Sequence, residues 1–454
     1  MKTRYTIKFI FFILALLIPL VFLNTLPDQI SEIDNKYLAD FPDIKNGYNE
    51  FLDDFDIYIT ERLGGRDKLI TANHIVNDKL FDILEHASYE YGKDGYVFSK
   101  LGNPQYDFEF LDAFSDYLIE IQNYCNSRNV QFIYLLNPSK TTVYSDYLPD
   151  GYNYDNERLD YLLDLLDKKN INYVDNTSYL KEIRPQVEPF NVKFDAGHWN
   201  YRGAFYGVNN LLSKMHEYDN SIVPNELDAF ELRNSKQTRL PVSNFPIQED
   251  VPFMQELEAS FNVVELDISS ELEMDPNYRV NVRYESEADN DINALVFQGS
   301  YFNTYGNIFL ARAFHKYQSI HNYGNIFNFE YFFNIYQPNF VVFTTAEYVT
   351  NADYFDFNNL KSKIFNPALT KSEFRNTDER IGITHILEGD YITKAKLDVK
   401  DIQYGYMSDG IHDYDLIHDD GWNISYRKEY MDIDNAKVYV VTDSGEKLVY
   451  DLDF

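Results

Sequence analysis

From about residue 105 to residue 350 the chain alternates apolar runs with amphipathic stretches, and this alternation restricts the fold more than any other feature. Val130–Leu136, Ile171–Val174, Ala294–Phe297 and Phe340–Phe343 read as buried strands. Between them, helical patterns cover Phe108–Asn126, Asp155–Lys168 and Asn307–Tyr317. A further helix starts near Asn200, whose side chain can cap it, with Ala204, Val208, Leu211, Leu212 and Met215 on one face. Strand and helix in alternation predict an α/β fold, a mostly parallel sheet flanked by helices.

The flanking regions differ in character. Asp28–Gly47 is a polar connector containing Pro42, followed by helical patterns at Tyr48–Arg62 and Asp67–Phe81 on either side of Gly64-Gly65. Gly92-Lys93-Asp94-Gly95 is a turn signal, with a strand at Tyr96–Phe98 behind it. Residues 217–290 mix proline and acidic residues with short strands such as Asn262–Leu266. Beyond 380 the chain turns β-like at Tyr391–Val399, Ile424–Tyr430 and Ala436–Leu452. The expected division is 1–27, 28–104 (helices and connector), 105–380 (the α/β domain) and 381–454 (a small β-rich appendage).

At the amino terminus Lys2, Arg4 and Lys8 precede a run, Phe9–Leu23, without a polar side chain, and no acidic residue occurs before Asp28. A basic start followed by an apolar segment is the pattern of an export signal or membrane anchor; no small-x-small cleavage site follows, which favours an anchor with the bulk of the chain outside the cell. The formal charge is −33, and setting aside the three early bases takes it to −36. Such a balance argues against a nucleic-acid partner, because phosphate binding needs clustered Lys and Arg. It also predicts weak attraction for polyanionic glycans, so a neutral or cationic polymer fits better. The single cysteine, Cys125, excludes an intramolecular disulfide and a cysteine-rich zinc cage.

Two segments carry candidate chemistry. Phe194-Asp195-Ala196-Gly197-His198-Trp199-Asn200 lies just before a helix; Val296-Phe297-Gln298-Gly299-Ser300 ends a buried strand before another. Sites in open α/β sheets form beyond the carboxyl ends of strands. Ser300 there is a candidate nucleophile, His198 the base it needs, and Asp195, three residues earlier, the carboxylate that fixes the imidazole tautomer. Gly299 and the Ser300 amide are candidate oxyanion donors. Trp199 and Asn200 are candidate substrate contacts, with packing beneath the loop the plainer role for the Trp199 ring. His412-Asp-Tyr-Asp-Leu-Ile-His418 reads as a solvated acidic loop, His315 and His321 as surface or packing residues, and no metal or cofactor is expected.

The chain resembles SGNH-hydrolase-like proteins of the alginate O-acetyltransferase type, the AlgX/AlgJ and DHHW group. Glu32–Pro42, Phe55–Asp67, Tyr91-Gly-Lys-Asp-Gly-Tyr-Val-Phe98, Leu136–Lys140, Tyr144–Pro149 and Asp195–Ala204 resemble that group's motifs in order. The resemblance implies an SGNH-hydrolase-like sheet with permuted motif order, Asp and His preceding the serine. It implies Ser300 as nucleophile, His198 as general base and Asp195 as its orienting partner. It also implies acetyl transfer to hydroxyls of an extracellular polysaccharide, with a membrane-bound O-acyltransferase as acyl donor. This chain has Asp-x-x-His where the alginate branch has Asp-x-His, Gly-Ser where Gly-Asp-Ser is common, and Thr344-Thr-Ala-Glu-Tyr348 where a Glu-x-x-Glu-Arg-like segment occurs. An esterase of the same fold, or a non-catalytic glycan-binding surface protein, are the competing expectations.

Overall fold

The computed structural model describes residues 2–27, 29–31, 36–81, 83–84, 86, 88–102, 106–152, 154–241, 245–265, 281–388 and 392–453. Asp28, residues 32–35 of the Glu32–Pro42 motif, Leu266 and Tyr391, all used above, lie outside them. A seven-stranded sheet organises the site. Its strands are β1 (Gln131–Asn137), β2 (Tyr173–Asp175), β3 (Phe261–Glu265), β4 (Asn281–Ser286), β5 (Asn293–Gln298), β6 (Lys316–His321) and β7 (Phe340–Ala346), in the order β2-β1-β7-β5-β6-β4-β3. The first five in this order run parallel; β4 and β3 complete the edge antiparallel. β5 and β7 are buried along their whole length, which explains the apolar runs Ala294–Phe297 and Phe340–Phe343.

Among the helices are α1 (Lys2–Val21), α2 (Tyr48–Arg62), α3 (Arg66–Phe81), α4 (Phe108–Ser127), α5 (Glu157–Lys168), α6 (Asn176–Val187), α7 (Tyr201–His216), α8 (Asn307–Ala311) and α9 (Phe329–Tyr336). The apolar stripes of α4 and α7 face the core; Leu111, Phe114, Leu118, Ile121, Val208, Leu211, Leu212 and Met215 are wholly buried. α6 follows β2 without a loop because Asp175 closes the strand and caps the helix, accepting from the Thr177 N–H at 2.7 Å.

The predicted helix Asn307–Tyr317 is corrected. A π-turn over Phe302–Gly306 runs into the short α8, and Lys316 already opens β6. Gln318 and Ser319 are buried inside that strand, so it shows no apolar run to betray it. The 217–290 region contains a long hairpin, Phe230–Arg239 paired antiparallel with Pro246–Glu256.

A second, eight-stranded sheet starts at Arg375 and ends at Asp453. It docks on α4 and α9 through Asp415, whose carboxylate meets the Tyr124 phenol and, at 3.2 Å, the Arg128 guanidinium, while its backbone pairs twice with the Asn334 amide. Burial raises the Asp415 carboxyl above its ordinary value against the pull of Arg128. The expected apolar amino-terminal segment forms α1, with Tyr5, Phe9, Phe11 and Phe12 exposed. Among the described residues no helix is long and apolar enough to cross a membrane.

Candidate active site

Three segments meet beyond the carboxyl ends of β1, β5 and β7. After β5, Gly299 makes the break and Ser300 opens the following helical turn; the Gly299 carbonyl accepts the Phe302 and Asn303 N–H groups at 3.2 and 3.1 Å. Gly299 is fixed by space: a Cβ there would overlap the Cζ and hydroxyl of Tyr323.

The Asp195–His198 segment lies against this turn. His198 Nδ1 and Asp195 Oδ1 are 2.6 Å apart, and the other carboxylate oxygen accepts from the Tyr305 hydroxyl at 2.8 Å. Both bonds hold the carboxylate in one plane, and the first leaves His198 Nε2 as the outward nitrogen. Asp195 sits in the left-handed region with φ 52°, a conformation that Asp tolerates better than most residues. The two segments are bonded to each other. The Trp199 indole N–H donates to the Tyr301 carbonyl at 3.0 Å, and the Tyr301 hydroxyl donates to the Pro138 carbonyl at 2.9 Å, tying the loop after β1 into the same cluster. The His198 and Tyr301 rings meet edge on with centroids 5.5 Å apart.

Ser300 and His198 thus occupy adjoining turns, without a direct hydrogen bond between them among the described residues. Burial pushes the Tyr348 phenol up to about 12, and the neighbouring Ser300 hydroxyl draws it down. Catalytic hydrogen bonds in unliganded sites are often long and tighten when substrate binds. Tyr348 was not singled out from sequence, although its segment was. It follows β7, and the preceding Glu347 secures it by accepting from the Ser139 N–H at 3.0 Å and from the Thr142 hydroxyl. Tyr305 was also missed; its only signal was its position five residues after Ser300.

Trp199 and Asn200 are built into the scaffold. The Trp199 ring is wholly buried between Tyr301 and Phe302, and Gly207 on α7 leaves room for it. Asn200 caps α7 by accepting from the Arg202 and Gly203 N–H groups at 3.0 and 3.1 Å, and its own amide donates to the Glu188 carbonyl. Neither offers a face to a substrate.

A cleft of about 380 Å³ adjoins this cluster, walled by Leu101, Tyr152, Ala196, Gly197 and Tyr348 with Lys140 at its base. Its two lysines are engaged. Lys140 Nζ donates to the Val97 and Val192 carbonyls at 2.7 and 2.8 Å, and Lys100 Nζ to the His86 carbonyl at 3.4 Å.

A parallel sheet with an Asp-His pair and a serine beyond its strand ends is the SGNH-hydrolase-like α/β fold. Residues 90–239, a third of the chain, match the family described as SGNH hydrolase-like domain, acetyltransferase AlgX; this segment holds Asp195 and His198 and stops short of Ser300. That stretch of the chain is thus similar to an acetyltransferase-type domain. Similar solved structures include Bacillus cereus PatB1 with sulfonyl adduct (16% identity, 59% of this chain and 98% of that one, TM-score 0.46). The O-acetyltransferase domain of Pseudomonas putida AlgJ is 14% identical over 61% of this chain and 99% of that one, with TM-score 0.42. Pseudomonas aeruginosa AlgX is 12% identical over 80% and 89%, with TM-score 0.36. No curated protein matches the chain.

Proposed function

We propose that this protein is an O-acyltransferase that carries an acetyl group on Ser300 and passes it to a hydroxyl of an extracellular polysaccharide. The observation that carries the reading is the Asp195–His198 pair, joined at 2.6 Å and bonded through Trp199 to the turn that presents Ser300. In the first half-reaction His198 Nε2 takes the Ser300 proton as Oγ attacks the carbonyl carbon of an acetyl ester. The donor's alkoxide leaves with that proton, and acetyl-Ser300 remains. In the second, His198 takes the proton of the acceptor hydroxyl, its oxygen attacks the acyl carbon, and the proton returns to Ser300. Asp195 holds the imidazole in the tautomer both steps need and stabilises the imidazolium.

The acetyl donor is a membrane-bound O-acyltransferase partner, and the transfer takes place outside the cell. The acceptor is a neutral glycan. An acid-rich chain repels polyanions, and both lysines of the cleft are already bonded to carbonyl groups.

The test is acetyl release from 4-nitrophenyl acetate, with transfer to neutral and uronate oligosaccharides read by mass. Release and transfer both vanish in Ser300→Ala, and transfer favours the neutral acceptor. Unchanged activity in that variant overturns the acyl-serine reading; acetyl passing only to water makes the protein an esterase.

A further inference from the structure

The segment just ahead of Asp195 lacks regular secondary structure, yet its backbone is held from two sides. Three successive N–H groups converge on one carboxylate: Val192 donates to Glu249 Oε1 at 2.7 Å, and Lys193 and Phe194 donate to Oε2 at 3.0 and 2.6 Å. On the other side the Val192 carbonyl accepts from the Val97 N–H at 2.8 Å and from Lys140 Nζ at 2.8 Å. The Asn191 amide closes the bend by donating to the Phe194 carbonyl at 3.1 Å. Successive N–H groups pointing inward form an anion-binding concavity, and their parallel dipoles repel one another until an anion fills it. Here the anion is supplied by the chain itself.

Glu249 comes from the long hairpin, an element outside the main sheet. Next to it Leu240, Phe245 and Ile247 are buried together with Ala196 and Val97, so apolar packing places the hairpin independently of the carboxylate. The residue that follows the clamped segment is Asp195, in its left-handed conformation on His198.

We infer that Glu249 is a positioning residue of the acyl-transfer site: by occupying the Val192–Phe194 amide concavity it holds the bend that brings the Asp195 carboxylate onto His198. The inference rests on the acyl-serine reading for its effect on rate, but not for its effect on the Asp195–His198 bond. In Glu249→Ala the three N–H groups turn outward to water and the bend relaxes. Glu249→Gln keeps the shape, but one of its two end groups is now a donor facing donors.

The experiment compares the full chain with Glu249→Gln, Glu249→Ala, the exposed neighbour Gln248→Ala, and Ser300→Ala. One readout is turnover of 4-nitrophenyl acetate. The other is the downfield proton resonance of the His198 Nδ1–H···Asp195 bond, assigned by its loss in Asp195→Asn. Expected are kcat losses of about tenfold for Gln and about a hundredfold for Ala, in line with losing charge-assisted hydrogen bonds. KM stays within about twofold, the proton signal is broadened or lost, and Gln248→Ala matches the parent. Glu249→Ala with parental kcat and an intact proton signal overturns the inference. If Ser300→Ala keeps full activity, the acyl-serine reading falls, and the proton signal alone decides whether Glu249 positions Asp195.

Discussion

Replacing Gly299 by alanine puts one methyl group where the Tyr323 ring already stands. An ideal Cβ would come within 2.6 Å of Tyr323 Cε1 and overlap the Cζ and hydroxyl outright. The ring must retreat on the order of 1–2 Å before an ordinary contact gap opens. It has little room, being 8% exposed and packed against Tyr354 and Phe355 at centroid distances of 5.9 and 6.0 Å. Overpacking of this kind costs about 1–3 kcal/mol. Because the methyl sits one residue before Ser300, relief by backbone movement carries Ser300 away from His198, and on the acyl-serine proposal turnover of an acetyl ester falls at least about tenfold. Tyr323→Leu removes the overlapping atoms, at its own cavity cost of about 2–4 kcal/mol. In that background Gly299→Ala costs little, so the double-mutant cycle shows coupling of about 1–3 kcal/mol. The two tryptophans make the assay local. Trp422 lies in the second sheet, so denaturant unfolding in a Trp422→Phe background, followed by the emission of buried Trp199, reports the domain that holds the site. A Gly299→Ala cost below about 0.5 kcal/mol, or the same cost in both backgrounds, refutes the steric reasoning.

Lys140 gives a pH-dependent prediction: loss of water pushes its ammonium down to about 7, with the charges of Glu249 and Asp195 opposing the shift. Below pH 7 both states hold the proton and the burial cost is fully present. Between about 7 and 10.5 the unfolded chain keeps a proton that the folded chain has released, so stability from this group rises with pH. Lys140→Met removes that rise, and denaturation midpoints with equal slopes from about pH 7 to about pH 9 in parent and variant refute it. Asn200→Ala loses the cap of α7 and is expected to cost about 1–2 kcal/mol, measured by the same unfolding assay. Trp199→Phe keeps the ring packing but leaves the Tyr301 carbonyl without its donor. It should lower stability by about 1 kcal/mol and reduce kcat more than it raises KM, since it loosens the bond between the His198 and Ser300 turns.

The fold was legible where a single interaction type dominates. β1, β5 and β7 cross the middle of the sheet, so burial on both faces favours apolar side chains, and the runs at Phe132, Val296 and Val342 announce themselves. β4 and β6 escape that rule because their interior is partly polar. Arg283 and Gln318 are both buried, and their side chains meet at 3.3 Å, so neither strand shows the run that marks its neighbours. The long hairpin mixes exposed, half-buried and a few buried positions irregularly, which a period-2 search does not recover. Sequence spacing exposed the Asp195–His198 pair because its members are three residues apart in one loop.

The rest of the site was hidden for a different reason. Tyr305, Tyr348 and Glu249 act on the Asp195–His198–Ser300 cluster from three separate elements, and a side chain reaching in from elsewhere leaves no local pattern. The contacts converge on two points. Tyr305 and the Glu249-clamped backbone hold the Asp195 carboxylate; the Tyr301 carbonyl and the Tyr323 ring against Gly299 hold the Ser300 turn. The Trp199 indole joins the two points. The spacing between His198 and Ser300 is therefore set by buried contacts rather than by a hydrogen bond between the two side chains.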